Sequence, residues 1–147
     1  MTLPNQFKKE NSESIFIYHY VEEMIANYGK YLDEVFDDDN ITKSELPFLL
    51  RIRFTEKTTQ KELVELFNVS EGYTAKLLRK FEDCGIITRH EDPANRRIKI
   101  VELTNKGILK TDELMELISN WEKNVTSGMS EEEIKLLKRL LFKVVEP

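Results

Sequence analysis

The sequence predicts a mainly helical chain with one small β-hairpin, and three observations carry that reading. Apolar residues recur at three- and four-residue steps through most of the chain. Only 5 glycines and 4 prolines occur in 147 residues, little material for long loops or a glycine-rich phosphate cradle. One stretch departs from the helical period: "GIITRHE" and "RIKIVEL" read as strands, and the intervening "DPANR" has turn chemistry.

Residues 14 to about 36 form the first expected helix. Ile17, Val21, Met24, Tyr28, Tyr31 and Val35 make its stripe, widened by Tyr18, Ile25 and Leu32, broader than packing on one neighbour requires. A second helix spans about 44–55, with Leu46, Leu49, Leu50 and Ile52 apolar. Its start has two signals: Thr42 with Glu45 matches a capping box, whereas Ser44 as the cap puts Pro47 in the first turn. "TQKELVELFNVS" gives a third helix capped by Thr59 and Glu62, with Leu63, Leu66 and Phe67 as its buried face. After a short turn, Ser70 caps a fourth helix from 71 to about 84, with Ala75, Leu77, Leu78, Phe81 and Cys84 inward and Gly85 as its left-handed stop. The hairpin follows. Thr104 then opens a long helix to about 127, with Ile108, Met115, Ile118, Trp121 and Val125 on one stripe and Leu114 and Leu117 beside it. Ser130 and Glu133 cap a last helix, stapled by Met129 and Ile134 and carrying Leu137, Leu140, Leu141, Val144 and Val145. The order is that of a winged helix-turn-helix held between long terminal helices.

The net charge of −5 is unevenly spread. Residues 1–40 carry 3 basic and 9 acidic side chains (−6), residues 41–107 carry 13 and 10 (+3), and residues 108–147 carry 6 and 8 (−2). A basic middle between acidic ends suits a lobe that meets an anion. The single cysteine, Cys84, excludes an intramolecular disulfide and is placed in the core rather than as a reactive thiol. "MTLPNQFKKE" lacks a signal-peptide core and no run approaches a membrane span, so a cytoplasmic location without membrane association is expected. His19 and His90 have no evident nucleophile or orienting partner, which argues against an enzyme, and no cofactor is expected. His19 with Glu22 or Glu23 has the helical spacing of metal ligands, but a lone histidine beside surface glutamates is a weak signal and no metal site is assigned.

The outward side of the fourth helix carries Gly72, Tyr73, Thr74, Lys76, Arg79 and Lys80. A helix entering a DNA major groove needs cations for phosphates and forked or hydroxylated side chains for base edges. The Ser70 end offers free N–H groups to a phosphate, and Thr59 and Gln60 at the start of the third helix join the expected surface. Such a face, taken alone, is equally well a solvated one. Arg96 and Arg97 alter the balance, because an arginine-tipped ribbon beside a recognition helix can reach an adjacent minor groove. Asp92 is expected to hold one guanidinium.

"SEGYTAKLLRKFEDCGIITRHEDPANRRIKIVELTNKG" resembles the winged-helix core of the multiple-antibiotic-resistance-repressor (MarR) family. Phe81 stands in the family's leucine position, followed by Gly85, Ile86-Ile87, Arg89, Asp92-Pro93, Arg96-Arg97 and Leu103-Thr104 to Gly107. Asn95 departs from the pattern, which usually has an aspartate there. The resemblance implies a single domain over 1–147, in which 1–40 and 108–147 form interlocking homodimerisation helices and 41–107 form the DNA-binding lobe. It implies a sequence-specific double-stranded-DNA-binding transcriptional regulator, expected to be a repressor on a pseudo-palindromic operator. The alternative is a winged-helix module for protein or RNA contacts without operator binding. Family members often bind small phenolic or other aromatic anions, for which Tyr18, His19, Tyr31 and Arg51 are the candidate lining; packing competes with that role for the two tyrosines.

Overall fold

The computed structural model describes residues 7–55 and 57–147; residues 1–6 of the expected dimerisation segment, and Glu56, lie outside the described residues. The elements run α1 (Ile17–Val35), α2 (Leu46–Phe54), β1 (Thr58–Thr59), α3 (Gln60–Phe67), α4 (Glu71–Asp83), β2 (Ile87–Asp92), β3 (Asn95–Leu103), α5 (Asn105–Val125) and α6 (Glu131–Val145). Mainly helical architecture with a small wing is therefore what the sequence folds into.

Local signals explain most boundaries. Of the two signals near α2 the capping box is the one used: the Glu45 carboxylate accepts the Thr42 amide at 2.9 Å across a 3-10 turn. Pro47 does fall in the first turn of α2, but the cap position is Glu45, and the Ser44 hydroxyl bonds that of Thr42 at 3.1 Å instead of capping the helix. At α3, Thr59 and Glu62 cap each other's amides at 3.0 and 3.1 Å, and Asn68 ends the helix in the left-handed region at φ 50°. Ser70 accepts the Tyr73 amide at 3.1 Å to start α4, and Gly85, at φ 74°, turns the chain after it.

The sheet has three antiparallel strands in the order β1-β3-β2, one more than the sequence suggests. Thr58 and Thr59 pair with Val101 and Ile100. A two-residue strand shows no alternation, and Thr59 also serves as the α3 cap, so its sequence signal is helical. Behind the sheet lie Leu49, Ile52, Leu63, Leu78, Phe81, Ile86, Ile87 and Val101, all fully buried. Leu66, expected on the buried face of α3, is instead 48% exposed. Leu63 takes the interior position, and the Phe67 ring lies 4.1 Å from that of Phe48.

The "LTNKG" segment joins the wing to α5. Thr104 donates from its amide to the Ile86 carbonyl at 2.9 Å, and its hydroxyl accepts the Gly107 amide at 3.1 Å. Gly107 is buried so closely that a Cβ there would lie 2.1 Å from the Ile86 carbonyl oxygen. Arg53 fastens α2 to the start of α5: its guanidinium donates to the Ile108 carbonyl and the Thr111 hydroxyl, both at 3.0 Å, and pairs with Asp112 at 2.9 Å.

The chain divides within α5 into two compact units, one ending at Met115 and the other Glu116–Pro147. In the second, Ser130 and Glu133 form the expected capping box at 2.8 and 3.2 Å, and Lys138 pairs with Glu122. No residue of α6 is buried, and Leu137, Leu140, Leu141, Phe142, Val144 and Val145 are all exposed. Among the described residues, no helix is long and apolar enough to cross a membrane.

Candidate nucleic-acid interface

The outer side of α4 exposes Gly72, Tyr73, Lys76 and Arg79. Among the described residues neither Lys76 nor Arg79 pairs with a carboxylate, so both cations are available to an external anion. Tyr73 sets its ring edge-on to Phe48 at 6.1 Å, which fixes its direction while leaving it partly exposed. The first turn also exposes Ser70 and Gly72, and no atom lies within 4 Å of where a Gly72 Cβ would stand.

Two residues expected on that surface are elsewhere. Thr74 is 0% exposed, and its hydroxyl donates to the Ser70 carbonyl at 3.1 Å. It sits one turn before Leu78 and two before Phe81, so the helical period turns it inward with them. Lys80 bridges to Glu45, its Nζ lying 2.8 and 2.9 Å from the two carboxylate oxygens. It faces the protein rather than solvent alone, because a buried carboxylate from the start of α2 draws it in.

The wing is the β2–β3 hairpin, with Asp92 opposite Asn95 and an irregularity between Glu91 and Asp92. Its tip is held by side chains folded onto backbone. Asp92 accepts the Ala94 amide at 2.9 Å, and Asn95 accepts the Arg97 amide at 3.1 Å. Asp92 holds no guanidinium, against the sequence expectation: its Oδ1 caps the turn, and among the described residues neither Arg96 nor Arg97 is in an ion pair. Both arginines are exposed. Arg89 Nε lies 2.8 Å from Glu82 Oε2, tying β2 to α4, and Lys99 pairs across the hairpin with Glu91 at 3.0 Å. These struts join residues seven and eight apart through a turn that no helical or strand period relates, so sequence patterning missed their structural roles.

Between α3 and the wing lies a cleft of about 570 Å³, which Thr59 and Gln60 line together with Arg97 and Lys99. Glu62, Glu65 and Glu71 balance Lys61, Arg97 and Lys99 along its walls. The Thr59 hydroxyl is occupied by the α3 cap. Charges along this cleft are thus evenly matched, and Lys76, Arg79 and Arg96 lie outside it.

The four residues proposed to line an effector site do not converge. Tyr18 is exposed and donates to Glu22 at 2.6 Å, which raises the phenol's pKa above its ordinary value through that hydrogen bond and the glutamate's charge. His19 lies among the rings of Phe7, Phe16 and Tyr18 and lines a 250 Å³ hollow with Phe7 and Phe16, to which the other three do not contribute. Tyr31 is half-buried thirteen residues along α1 from Tyr18, about 20 Å at the helical rise. Arg51 is exposed on α2. Among the described residues no group of three or more histidine, cysteine, aspartate or glutamate side chains is arranged to hold a metal ion.

A capped helix pair with a hairpin wing anchored to its second helix places the chain among winged helix-turn-helix proteins. The MarR family model matches residues 41–99. The chain is 31% identical over 106 residues to the HTH-type transcriptional regulator BilQ of Clostridium symbiosum, covering 72% of this chain and 74% of that one. It is 26% identical over 145 residues to the organic hydroperoxide resistance transcriptional regulator of Bacillus subtilis, covering 97% and 92%. A crystal structure of MarR superposes with a TM-score of 0.72 at 27% identity, over 90% of this chain and 96% of that one. A cysteine-to-serine variant of Escherichia coli MarR complexed with operator DNA shares the fold, with a TM-score of 0.70 at 22% identity over 94% and 99%. The chain belongs to the MarR family, and it is a transcriptional regulator.

Proposed function

We propose that the chain acts as a homodimer on a pseudo-palindromic operator in duplex DNA, and that it represses by occupying that site. One observation carries this reading: Lys76, Arg79, Arg96 and Arg97 are exposed and, among the described residues, in no ion pair, on two elements tied together by the Glu82–Arg89 pair. In a chain of net charge −5, cations left uncompensated on a recognition helix and its neighbouring hairpin match the phosphate and groove contacts of a winged helix. The operator complex of the E. coli neighbour supports the same mode. The exposed apolar faces of α1 and α6 support dimerisation, and regulators as relatives support a non-enzymatic role in the compartment that holds the DNA.

The test is to recover genomic fragments retained by the purified chain and titrate their affinity against salt. A single recurring inverted repeat, bound with log K falling steeply against log salt, is the expected result. Retention of RNA or of a protein, with no duplex affinity at low salt, overturns it. Placing the recovered repeat over a promoter then distinguishes repression from activation by the sign of the reporter response.

A further inference from the structure

Lys80 lies one turn beyond Lys76 and next to Arg79, yet its ammonium is directed at Glu45, thirty-five residues earlier. Glu45 has a side chain only 11% exposed, and its two oxygens receive Lys80 at 2.8 and 2.9 Å. Its Oε2 also accepts the Thr42 amide at 2.9 Å, so the carboxylate is braced by its own segment. That segment is anchored again at its other end. Asp38 Oδ1 accepts the Asn40 and Ile41 amides at 2.8 and 2.9 Å, while Oδ2 receives Lys110 of α5 at 2.8 Å. Between the anchors, Ile41 is 2% exposed. Residues 38–45 thus form a strap from α5 to α4, each end a carboxylate that bonds one lysine and its own backbone.

We propose that Lys80 is a positioning residue for DNA recognition: through Glu45 it sets the seating of α4, and the strap carries that constraint to α5. This rests on the duplex-DNA reading above. A lysine chelated by a nearly buried carboxylate has little charge left for a phosphate, so its effect is on geometry rather than on counterion release. Base readout depends on side-chain placement, whereas binding to random duplex depends on net phosphate contact. Disturbing the strap therefore lowers specificity.

The test is a double-mutant cycle on the full-length chain: Lys80→Met, Glu45→Gln and both together. Affinity is measured for the recovered operator and a random duplex over a salt series, and stoichiometric titration gives the active fraction of each variant. Each single change is expected to lower the operator-to-random affinity ratio roughly ten-fold, within the range for couplings outside a contact surface. The double variant is expected to match the singles, and the random-duplex salt slope to stay at the wild-type value. Asp38→Asn provides a variant at the far anchor, with a smaller loss of the same sign. Additive losses, a wild-type ratio in Glu45→Gln, or a salt slope lowered by about one in Lys80→Met overturn the positioning role; the last makes Lys80 a phosphate contact. A merely structural role reduces the active fraction without changing the ratio per active molecule, and also overturns it. A wild-type chain that binds no duplex removes the proposed function itself, whereas operator binding with an additive cycle removes only this proposal.

Discussion

Gly107 and Gly72 show how one residue type can be required for packing at one position and tolerated at another. A Cβ at Gly107 meets the Ile86 carbonyl at 2.1 Å, backbone that only a shift of α5 can relieve. Gly107→Ala is expected to cost about 2 kcal/mol or more, read as a lowered urea midpoint with little change in slope. Gly72 stands in open space in the first turn of α4, where alanine is expected to stabilise by about 0.5 kcal/mol, less than in a helix interior. If the α4 backbone approaches DNA there, the same change weakens duplex binding while raising the urea midpoint. Wild-type DNA affinity in Gly72→Ala would reduce that glycine to a tolerated helix residue. At this scale sequence reading was good where the helical period decides and poor at its margins. Lys76 and Arg79 lie clearly outward, but Thr74 and Lys80 sit at the edges of the stripe. Thr74 is turned in by helical angle alone, and Lys80 by a carboxylate whose proximity no local pattern reveals.

The wing and the strap are elements whose chemistry can be tested separately. Arg96 and Arg97 lie where β3 leaves its regular register with β2, between the pairs Asp92–Asn95 and Glu91–Lys99, and both are exposed, so each can be tested alone. If one of the pair enters the minor groove, its replacement is expected to weaken operator binding more on A·T-rich than on G·C-rich flanks, and that of the other to show no flank preference. Binding of each single alanine variant on both flank types at fixed salt measures this; near-wild-type affinity throughout would leave the wing a simple loop. The strap makes a prediction in pH. Burial opposes the charged form of Asp38, yet Lys110 and the Asn40 and Ile41 amides together hold its carboxyl below its ordinary value of 3.8. The Asp38 hydrogen bond, and Glu113 with it, raises Lys110 above its ordinary 10.5 against desolvation. The Asp38 contribution is thus complete above the unfolded carboxyl range and lost as pH falls through the lowered folded pKa. The Lys110 contribution is complete below the unfolded ammonium range and lost as pH rises through the raised one. Urea midpoints of Asp38→Asn should lie below wild type near neutrality and converge with it in acid; equal midpoints at neutral pH would mean the pair adds nothing. Of these elements, the hairpin and every helix longer than two turns were visible in periodicity and turn chemistry. The strap and β1 were not, since both are defined by partners more than thirty residues away.

For the whole molecule, the largest unsatisfied feature is apolar surface. Ile17, Val21, Met24 and Ile25 of α1 are exposed, as are Leu137, Leu140 and Leu141 of α6. Contiguous apolar faces of this kind are unusual on a monomer. Sedimentation of the full-length chain at micromolar concentration is expected to give a dimer, and removing residues 130–147 to abolish both dimerisation and tight DNA binding. A soluble, folded monomer would contradict that expectation. The width of these stripes was already readable in the sequence, because a helix that packs on a single neighbour needs a narrower one. What periodicity could not show is that α6 buries nothing within its own chain.

The small strand β1 has a consequence for how the lobe opens. By pairing with Val101 and Ile100, Thr58 and Thr59 close a long ring of chain around α3 and α4, whereas the β2–β3 hairpin closes only a local turn. Thr59 is at once the end of that strand and the cap of α3, so unzipping the one uncaps the other. Sheet and helix pair should therefore open as one cooperative unit, not as a flexible arm beside a rigid reader. Amide hydrogen exchange tests this: β1 and the first turn of α3 are expected to share one opening free energy, while the tip around Ala94 exchanges by local fraying. Distinct opening energies for β1 and α3 would separate them. A lobe built this way is expected to lose its edge strand and its first capped helix in a single step.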